Sequence, residues 1–228
     1  MLSQAITDSI LLKADEFWTK YDITEGGRKA RLQPGIVGAR ANLLLAPYGR
    51  KLGPDPASIN AARIGGIAAN NSSGMCCGTA GNTYFTMEAI RVILYDGTVL
   101  DTSLEESKAK FRKTHGHILD ALAKLRKDTL ADDKLTKLIQ HKYRLKNTCG
   151  YAINSVVDFE DPFDILAHLI VGSEGTLGFI SDITYNTVED HKHKASTIIV
   201  FDTVAEACNA AHALSSLPVS AVELMDRR

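Results

Sequence analysis

The residues with the most chemical potential lie in one window without charge, IGGIAANNSSGMCCGTAGN, from Ile64 to Asn82. Glycine removes the Cβ atom, permits left-handed backbone angles and lets a ligand lie directly on the main chain. Rows of backbone N–H groups suit phosphate groups and flat heteroaromatic rings, and Asn and Ser add directed hydrogen bonds without bulk. The window therefore predicts either a ligand cradle or a loop packed tightly under a helix.

Other motifs, present or absent, indicate which class of ligand-binding protein the window could belong to. The chain has neither GxxxxGK[ST] nor a GxGxxG motif after a strand, which disfavours a phosphate-loop NTPase or a Rossmann protein. A second glycine-rich window, LIVGSEGTLGFISDI, runs from Leu169 to Ile183. The hairpin pattern RVILYDGTVLDT and the segment LKNTCGY, from Leu145 to Tyr151, lie between the two windows.

In this order, PDPASINAARIGGIAANNSSGMCCG, RVILYDGTVLDT, LKNTCGY and GSEGTLG resemble the FAD-binding domain of the vanillyl-alcohol oxidase superfamily. The resemblance is to its branch of D-lactate and D-2-hydroxyacid dehydrogenases, and it covers nearly the whole chain. It implies a two-lobed α+β domain of the FAD-binding PCMH type, with the ring and diphosphate of FAD between the lobes.

The resemblance also implies which residues surround FAD. Three residues before the first window flank the cofactor. Residues of the first window line it with their backbone, and residues of the second window lie near its ribityl and adenine side. It assigns no catalytic base and no metal ligand to this chain. The implied residues are Pro54, Asp55 and Ser58; Gly65, Gly66, Asn70, Asn71, Ser73, Gly74 and Gly78; and Glu174, Gly175, Gly178 and Ile180.

The sequence departs from the family pattern in three places. The family has an earlier glycine-rich turn, of the type GGGTSLSG, and only Leu2-Ser3-Gln4 match its trailing edge. Arg63 stands where Thr is usual, so its guanidinium either replaces a phosphate partner or disturbs the site. Residues 191–228 match only the opening of the substrate cap domain. We therefore expect an N-terminally truncated FAD-binding domain in residues 1–190, in a fragment of a longer protein.

The implied parent enzyme oxidises a D-2-hydroxy acid by hydride transfer to FAD. A quinone, a cytochrome or an iron–sulfur partner would reoxidise the flavin. We expect residues 1–228 alone to bind FAD weakly or not at all, to lack dehydrogenase activity, and to self-associate as a homodimer that covers a bare sheet edge. Two alternatives are a folded remnant or interaction module without cofactor, and a UDP-sugar reductase of the same superfamily.

The composition is typical of a globular protein. The 228 residues are 45% hydrophobic and 23% charged, and the net charge of −1 gives no global case for binding nucleic acid. No apolar run is long enough to span a membrane, and no secretory signal is visible. We read the four cysteines as reduced thiols in a cytoplasmic protein, with peripheral membrane association open for the parent.

The element pattern predicts how the windows are positioned. Strands come first, a helical insert covers about 104–145, and a new strand–helix–strand unit ends the chain, which argues for an α+β fold. Two strands, SILLKA and RKARLQPG, join through TEGGR, and VGARANLLLAPYG forms a helix that stops at Gly49. DPFDILAHLIVG begins a helix with Asp161 as cap and Pro162 first. After this helix the sequence predicts three strands, GFISDITYNTV, STIIVFDT and VSAVELMD. The final helix is VAEACNAAHALSSL.

Overall fold

A computed structural model describes residues 14–226. Helices and antiparallel strands follow one another without regular alternation, so the fold is α+β, as predicted. The elements are β1 Tyr21–Thr24, β2 Lys29–Leu32, α1 Gly38–Leu45, β3 Arg50–Lys51, α2 Ile64–Ala69, α3 Thr83–Thr86, β4 Met87–Ile93, β5 Val99–Asp101, α4 Glu105–Ala131, α5 Asp133–Lys142, α6 Ser155–Asp158, α7 Pro162–Ile170, β6 Phe179–Asn186, β7 Val188–Glu189 and α8 Val204–Leu214.

A five-stranded antiparallel sheet with the order β1-β2-β6-β4-β5 organises the domain. Its central strand β6 begins within the second glycine-rich window, directly after Gly178, and its register places Ile183 beside Leu32 on one side and Ile90 on the other. Alternate residues of each strand point to one face. All three of these side chains are buried, so this face carries the core. β3 and β7 form a separate two-stranded sheet.

The opposite face of the sheet is covered by a chain of alternating charges. Arg31 on β2 lies 2.6 Å from Asp101 on β5 and 3.7 Å from Asp182 on β6, and Arg91 on β4 lies 3.4 Å from the same Asp182. These cross-strand pairs satisfy one another, and the Asp101 carboxylate among them is buried. The face opposite the core therefore carries ion pairs that link β2, β6, β4 and β5.

Several local predictions are confirmed. RVILYDGTVLDT is the β4–β5 hairpin, and Gly49 ends its helical segment with a left-handed φ of 67°. The predicted helical region 104–145 contains α4 and α5, and α4 is kinked where His115 has φ −127° and ψ 24°. α7 begins with Pro162, and the Asp161 carboxylate accepts a hydrogen bond from the N–H of Phe163 at 2.9 Å.

Other strand predictions need correction. TEGGR does join two strands, but the first is β1 at Tyr21–Thr24, and SILLKA lies outside the described residues except for Ala14. The segments STIIVFDT and VSAVELMD are not strands, although the helix between them, α8, forms as predicted. A β-strand needs a neighbouring strand for its backbone hydrogen bonds, and among residues 14–226 neither segment has one. The boundary between domains at 190/191 stays a prediction.

Because the Asp161 side chain caps α7, Asp161→Ala should lower the free energy of unfolding by about 1 kcal/mol. Urea unfolding followed by circular dichroism measures the change. Glu160→Ala is the matched control, since it removes an adjacent exposed carboxylate that does not cap the helix. Equal losses in the two variants would show that local charge, not the cap, matters here.

Candidate functional site

The first glycine-rich window begins as the short helix α2, whose N-terminal end is docked on the protein itself. The N–H groups of Ile64 and Gly65 donate to the carbonyl oxygens of Ile36 and Pro34, at 2.8 and 3.0 Å. The guanidinium of Arg63 donates to the carbonyl of Gly35 at 2.5 Å. The arginine that replaces the usual threonine therefore has a structural contact of its own.

The C-terminal end of α2 joins the two glycine-rich windows. The N–H of Gly172 donates to the carbonyl of Ala68 at 3.1 Å, and the N–H of Glu174 donates to that of Ala69 at 2.9 Å. These carbonyls are among the last four of a helix, which have no partner within it. The second window reaches them by a turn in which Gly172, Glu174 and Gly175 all have positive φ, at 82°, 53° and 78°.

The LKNTCGY segment lies across both windows. The Lys146 ammonium donates to the carbonyl of Gly74, and the side-chain amide of Asn71 donates to the carbonyl of Asn147 at 3.4 Å. At the other end, the hydroxyl of Tyr151 lies 2.9 Å from that of Thr176 in the second window. The structure thus brings together three segments that are far apart in the sequence.

Three of the predicted cofactor-lining glycines are required by protein packing. A Cβ atom on Gly65 would lie 2.6 Å from the Pro34 side chain, and one on Gly178 would lie 2.6 Å from that of Val92. A Cβ atom on Gly74 would overlap the carbonyl oxygen of Asp55. Contact of these glycines with FAD stays a prediction, because close approach of the chain to itself already explains the absence of a side chain.

The other predicted residues divide by exposure. Ile180 is 6% exposed and belongs to the core, and Pro54 is also buried. Asp55, Asn70, Ser73 and Gly78 are half-buried, and Asn71 is buried. Ser58, Gly66, Glu174 and Gly175 are exposed. No atom of the described residues lies within 4 Å of a Cβ placed on Gly78 or Gly175, so the space beside these two glycines is open.

The open side of the window presents hydrogen-bond donors. The backbone N–H groups of Ser73 and of residues 75–80 lie in or beside a turn, and within residues 14–226 none of them donates a hydrogen bond of good geometry. Successive backbone N–H groups in turn conformations form concavities that bind anions. The diphosphate of FAD needs such donors, so this row, which we call the donor row, fits the cofactor that the motifs imply.

A small cavity lies behind the donor row, between the window and the LKNTCGY segment. Its volume is about 20 Å³, and Asn71, Thr79, Tyr84, Asn147 and Asn154 are among its lining residues. The Oδ1 atom of Asn154 is buried without a partner among the described residues. A cavity of this size and polarity has room for one water molecule and is too small for a flavin ring.

A hydrogen-bonded polar cluster beside this cavity, in which Tyr84, Asn154 and His168 are buried and Asp158 is exposed, was missed in the sequence. The hydroxyl of Tyr84 donates to the carboxylate of Asp158 at 2.7 Å, and Asn154 donates to the same oxygen at 2.8 Å. The ring of His168 stacks on Phe159, with centroids 3.9 Å apart. Burial raises the pKa of Tyr84 and lowers that of His168. These residues come from α3, α6 and α7, and no local motif marks them.

The fold and the joined windows define an FAD-binding domain. Residues 1–103 match the family model described as "FAD binding domain". A solved structure of alkyldihydroxyacetonephosphate synthase has the same fold, with a TM-score of 0.51 and 20% identity over 89% of this chain and 27% of that one. The chain therefore contains an FAD-binding domain, for which FAD is the cofactor, and it is similar to dehydrogenases of D-lactate and D-2-hydroxy acids.

Curated relatives agree with this assignment. The chain is 24% identical to the D-2-hydroxyglutarate dehydrogenase of Haemophilus influenzae, over 99% of this chain and 22% of that protein. It is 27% identical to the mitochondrial D-lactate dehydrogenase [cytochrome] of Arabidopsis thaliana, over 86% of this chain and 25% of that protein. It is 36% identical to glycolate oxidase subunit GlcD of Escherichia coli K12, over 40% of this chain and 18% of that protein. The chain therefore spans a quarter or less of each relative.

Residues 14–226 contain neither a membrane-spanning helix nor a metal-binding cluster. None of the described helices combines the length and the apolar character that crossing a bilayer requires. No group of three or more His, Cys, Asp or Glu side chains in this part of the chain is arranged to hold a metal ion.

The buried imidazole of His168 generates a prediction about pH. Burial lowers the pKa of His168 in the folded protein below the ordinary value of 6.5. Just below pH 6.5 this histidine is therefore protonated in the unfolded chain but still neutral in the folded protein. The stability should therefore fall as the pH drops below about 6.5. We expect His168→Gln to flatten this slope in urea unfolding at a series of pH values. His212→Gln, at an exposed position, is the control, and an equal flattening there would contradict the assignment to His168.

Proposed function

We propose that this chain forms the FAD-binding part of a dehydrogenase that oxidises a D-2-hydroxy acid. The observation that carries the proposal is the meeting of the two glycine-rich windows at the end of α2, beside the donor row. That arrangement presents bare backbone and free N–H groups to an anionic, flat cofactor.

The substrate class follows from the relatives. D-2-hydroxyglutarate, D-lactate and glycolate each carry a hydroxyl group on the carbon next to a carboxylate. Relatives named for the oxidation of all three match this chain, and one of them is named for a cytochrome as well. When bound, FAD supplies the chemistry of accepting a hydride from the carbon that bears the hydroxyl. A quinone, a cytochrome or an iron–sulfur partner is the proposed electron acceptor.

The chain's own residues bind and orient the cofactor. The N–H groups of Ser73 and of residues 75–80 would donate to the diphosphate, and the cationic side chain of Lys146, held on the carbonyl of Gly74, would balance its charge. Charge-assisted hydrogen bonds of this kind are about twice as strong as neutral ones. Gly66, exposed on α2, leaves room for the cofactor over the helix.

Gly66→Val should lower the affinity for FAD at least tenfold, because a branched side chain would occupy cofactor space. The measurement is a flavin fluorescence titration of the whole protein encoded by the gene that contains this sequence, not of residues 1–228 alone. Gly116→Val is the matched control: Gly116 also lies in a helix, α4, and has open space where a Cβ would stand. Unchanged affinity in Gly66→Val would show that this part of the window serves packing alone.

The substrate class has a separate test. The same protein, supplied with an artificial electron-accepting dye, should reduce it with D-2-hydroxyglutarate, D-lactate or glycolate and leave the L-isomers of the chiral acids unused. Tightly bound FAD without turnover of any 2-hydroxy acid would overturn the substrate and leave the cofactor assignment standing. Absence of FAD from the protein would instead favour an interaction module.

The weak FAD binding expected of residues 1–228 alone stays a prediction. Gel filtration of this purified chain, followed by an absorbance spectrum, tests it together with the expected homodimer. A flavin spectrum that survives the column would contradict the expectation and would show that the donor row and the second window hold the cofactor by themselves.

A further inference from the structure

Two consecutive asparagines of the first window, Asn70 and Asn71, differ in what their side chains do. The Asn70 amide is half-buried and makes one local hydrogen bond, to the hydroxyl of Ser72 at 2.8 Å. Asn71 is only 6% exposed and has a left-handed backbone, with φ 47°. The resemblance implied a cofactor contact for both residues, but the surroundings of Asn71 indicate another role.

The backbone of Asn71 ends helix α2. Its N–H donates to the carbonyl of Ala68 at 3.0 Å, and the N–H of Ser72 donates to that of Ile67 at 2.8 Å. This pair of hydrogen bonds around a left-handed residue is the Schellman motif, in which Gly or Asn is favoured. Asn71 therefore turns the chain out of the helix and towards the donor row.

Both the oxygen and the nitrogen of the Asn71 side-chain amide form hydrogen bonds within the protein. Its Oδ1 accepts a hydrogen bond from the N–H of Tyr84 at 3.1 Å, and its Nδ2 donates to the carbonyl of Asn147 at 3.4 Å. Its Cβ lies 3.7 Å from the point where a Cβ on Gly172 would stand. One buried residue thus joins the end of α2 to the start of α3 and to the LKNTCGY segment, and it lies next to Gly172 of the second window.

Resting on the proposed function, we infer that Asn71 is a positioning residue: it clamps the LKNTCGY segment and the start of α3 onto the turn that leads to the donor row. Its amide holds the protein segments and does not contact FAD. A residue at this position needs tolerance of left-handed angles together with a donor and an acceptor on a short side chain, and Asn combines these.

Three variants separate this role from direct cofactor contact. Asn71→Gly keeps the left-handed turn and removes the amide, and Asn71→Asp keeps the acceptor for Tyr84 and loses the donor to Asn147. Asn70→Gly is the matched control one residue away. The first readout is the rate of tryptic cleavage after Arg144 and Lys146 in the protein without FAD, followed by mass spectrometry. The second is FAD affinity by fluorescence titration.

Both Asn71 variants should raise the cleavage rate at these two bonds about tenfold, the factor that corresponds to about one lost hydrogen bond. FAD affinity should fall by a similar factor. Asn70→Gly should leave the cleavage rate unchanged. Thermal unfolding by circular dichroism identifies a variant that fails to fold, and Asn71→Asp, the smaller change, then carries the test.

Two results would overturn the inference. One is a loss of FAD affinity in the Asn71 variants with no change in cleavage, which would mean that the amide contacts the cofactor directly. The other is equal opening of the LKNTCGY segment in Asn70→Gly. If the wild-type protein binds no FAD, the proposed function fails, and the cleavage experiment still decides whether Asn71 holds the segment.

Discussion

The structure depends on one junction, where the last carbonyls of α2 accept hydrogen bonds from the backbone of residues more than 100 positions later, Gly172 and Glu174. The last carbonyls of a helix have no partner within it: that of Ala69 is paired by Glu174, and that of Ala68 accepts from both Asn71 and Gly172. The partner they find is the turn that leads directly into β6, the strand at the centre of the five-stranded sheet. The site and the sheet therefore share one anchor, and the position of the first window is set by the same contacts that set β6.

Glycine serves two different purposes around this junction. At Gly65, Gly74 and Gly178 a side chain would collide with neighbouring parts of the chain, so these residues let the protein pack against itself. At Gly78 and Gly175 the space is open and the backbone is left-handed, with φ 53° and 78°. The second group lies where a ligand has access to the main chain. A glycine-rich window can thus be both cradle and packed loop, the two readings that its sequence left open.

The helices on the far side of the site hold it in place with polar contacts. Tyr84, Asp158 and Asn154 form a hydrogen-bonded cluster that ties α3 to α6, and Arg126 of α4 donates to the carbonyls of Val156 and Val157 at 3.0 Å each. Buried groups that satisfy one another in this way fix a single arrangement of the elements. The inserted helices are thereby connected to the segments around the candidate site, although they contribute no residue to the donor row.

The sequence by itself determined what depends on local chemistry. The Asp161 cap, the left-handed stop at Gly49, the hairpin around Asp96-Gly97 and the helical period of 104–145 are each encoded within a few residues, because caps, tight turns and amphipathic faces need only near neighbours. The order of its glycine-rich motifs indicated the FAD-binding fold.

Tertiary structure alone decided which groups meet. STIIVFDT has a strand's composition, but strand formation requires a partner that its own sequence cannot supply. Asn70 and Asn71 are the same residue type, yet one is half-buried with a local bond, and the other joins three segments. Such assignments depend on burial and on hydrogen-bond partners distant in the chain, and these exist only once the chain has folded.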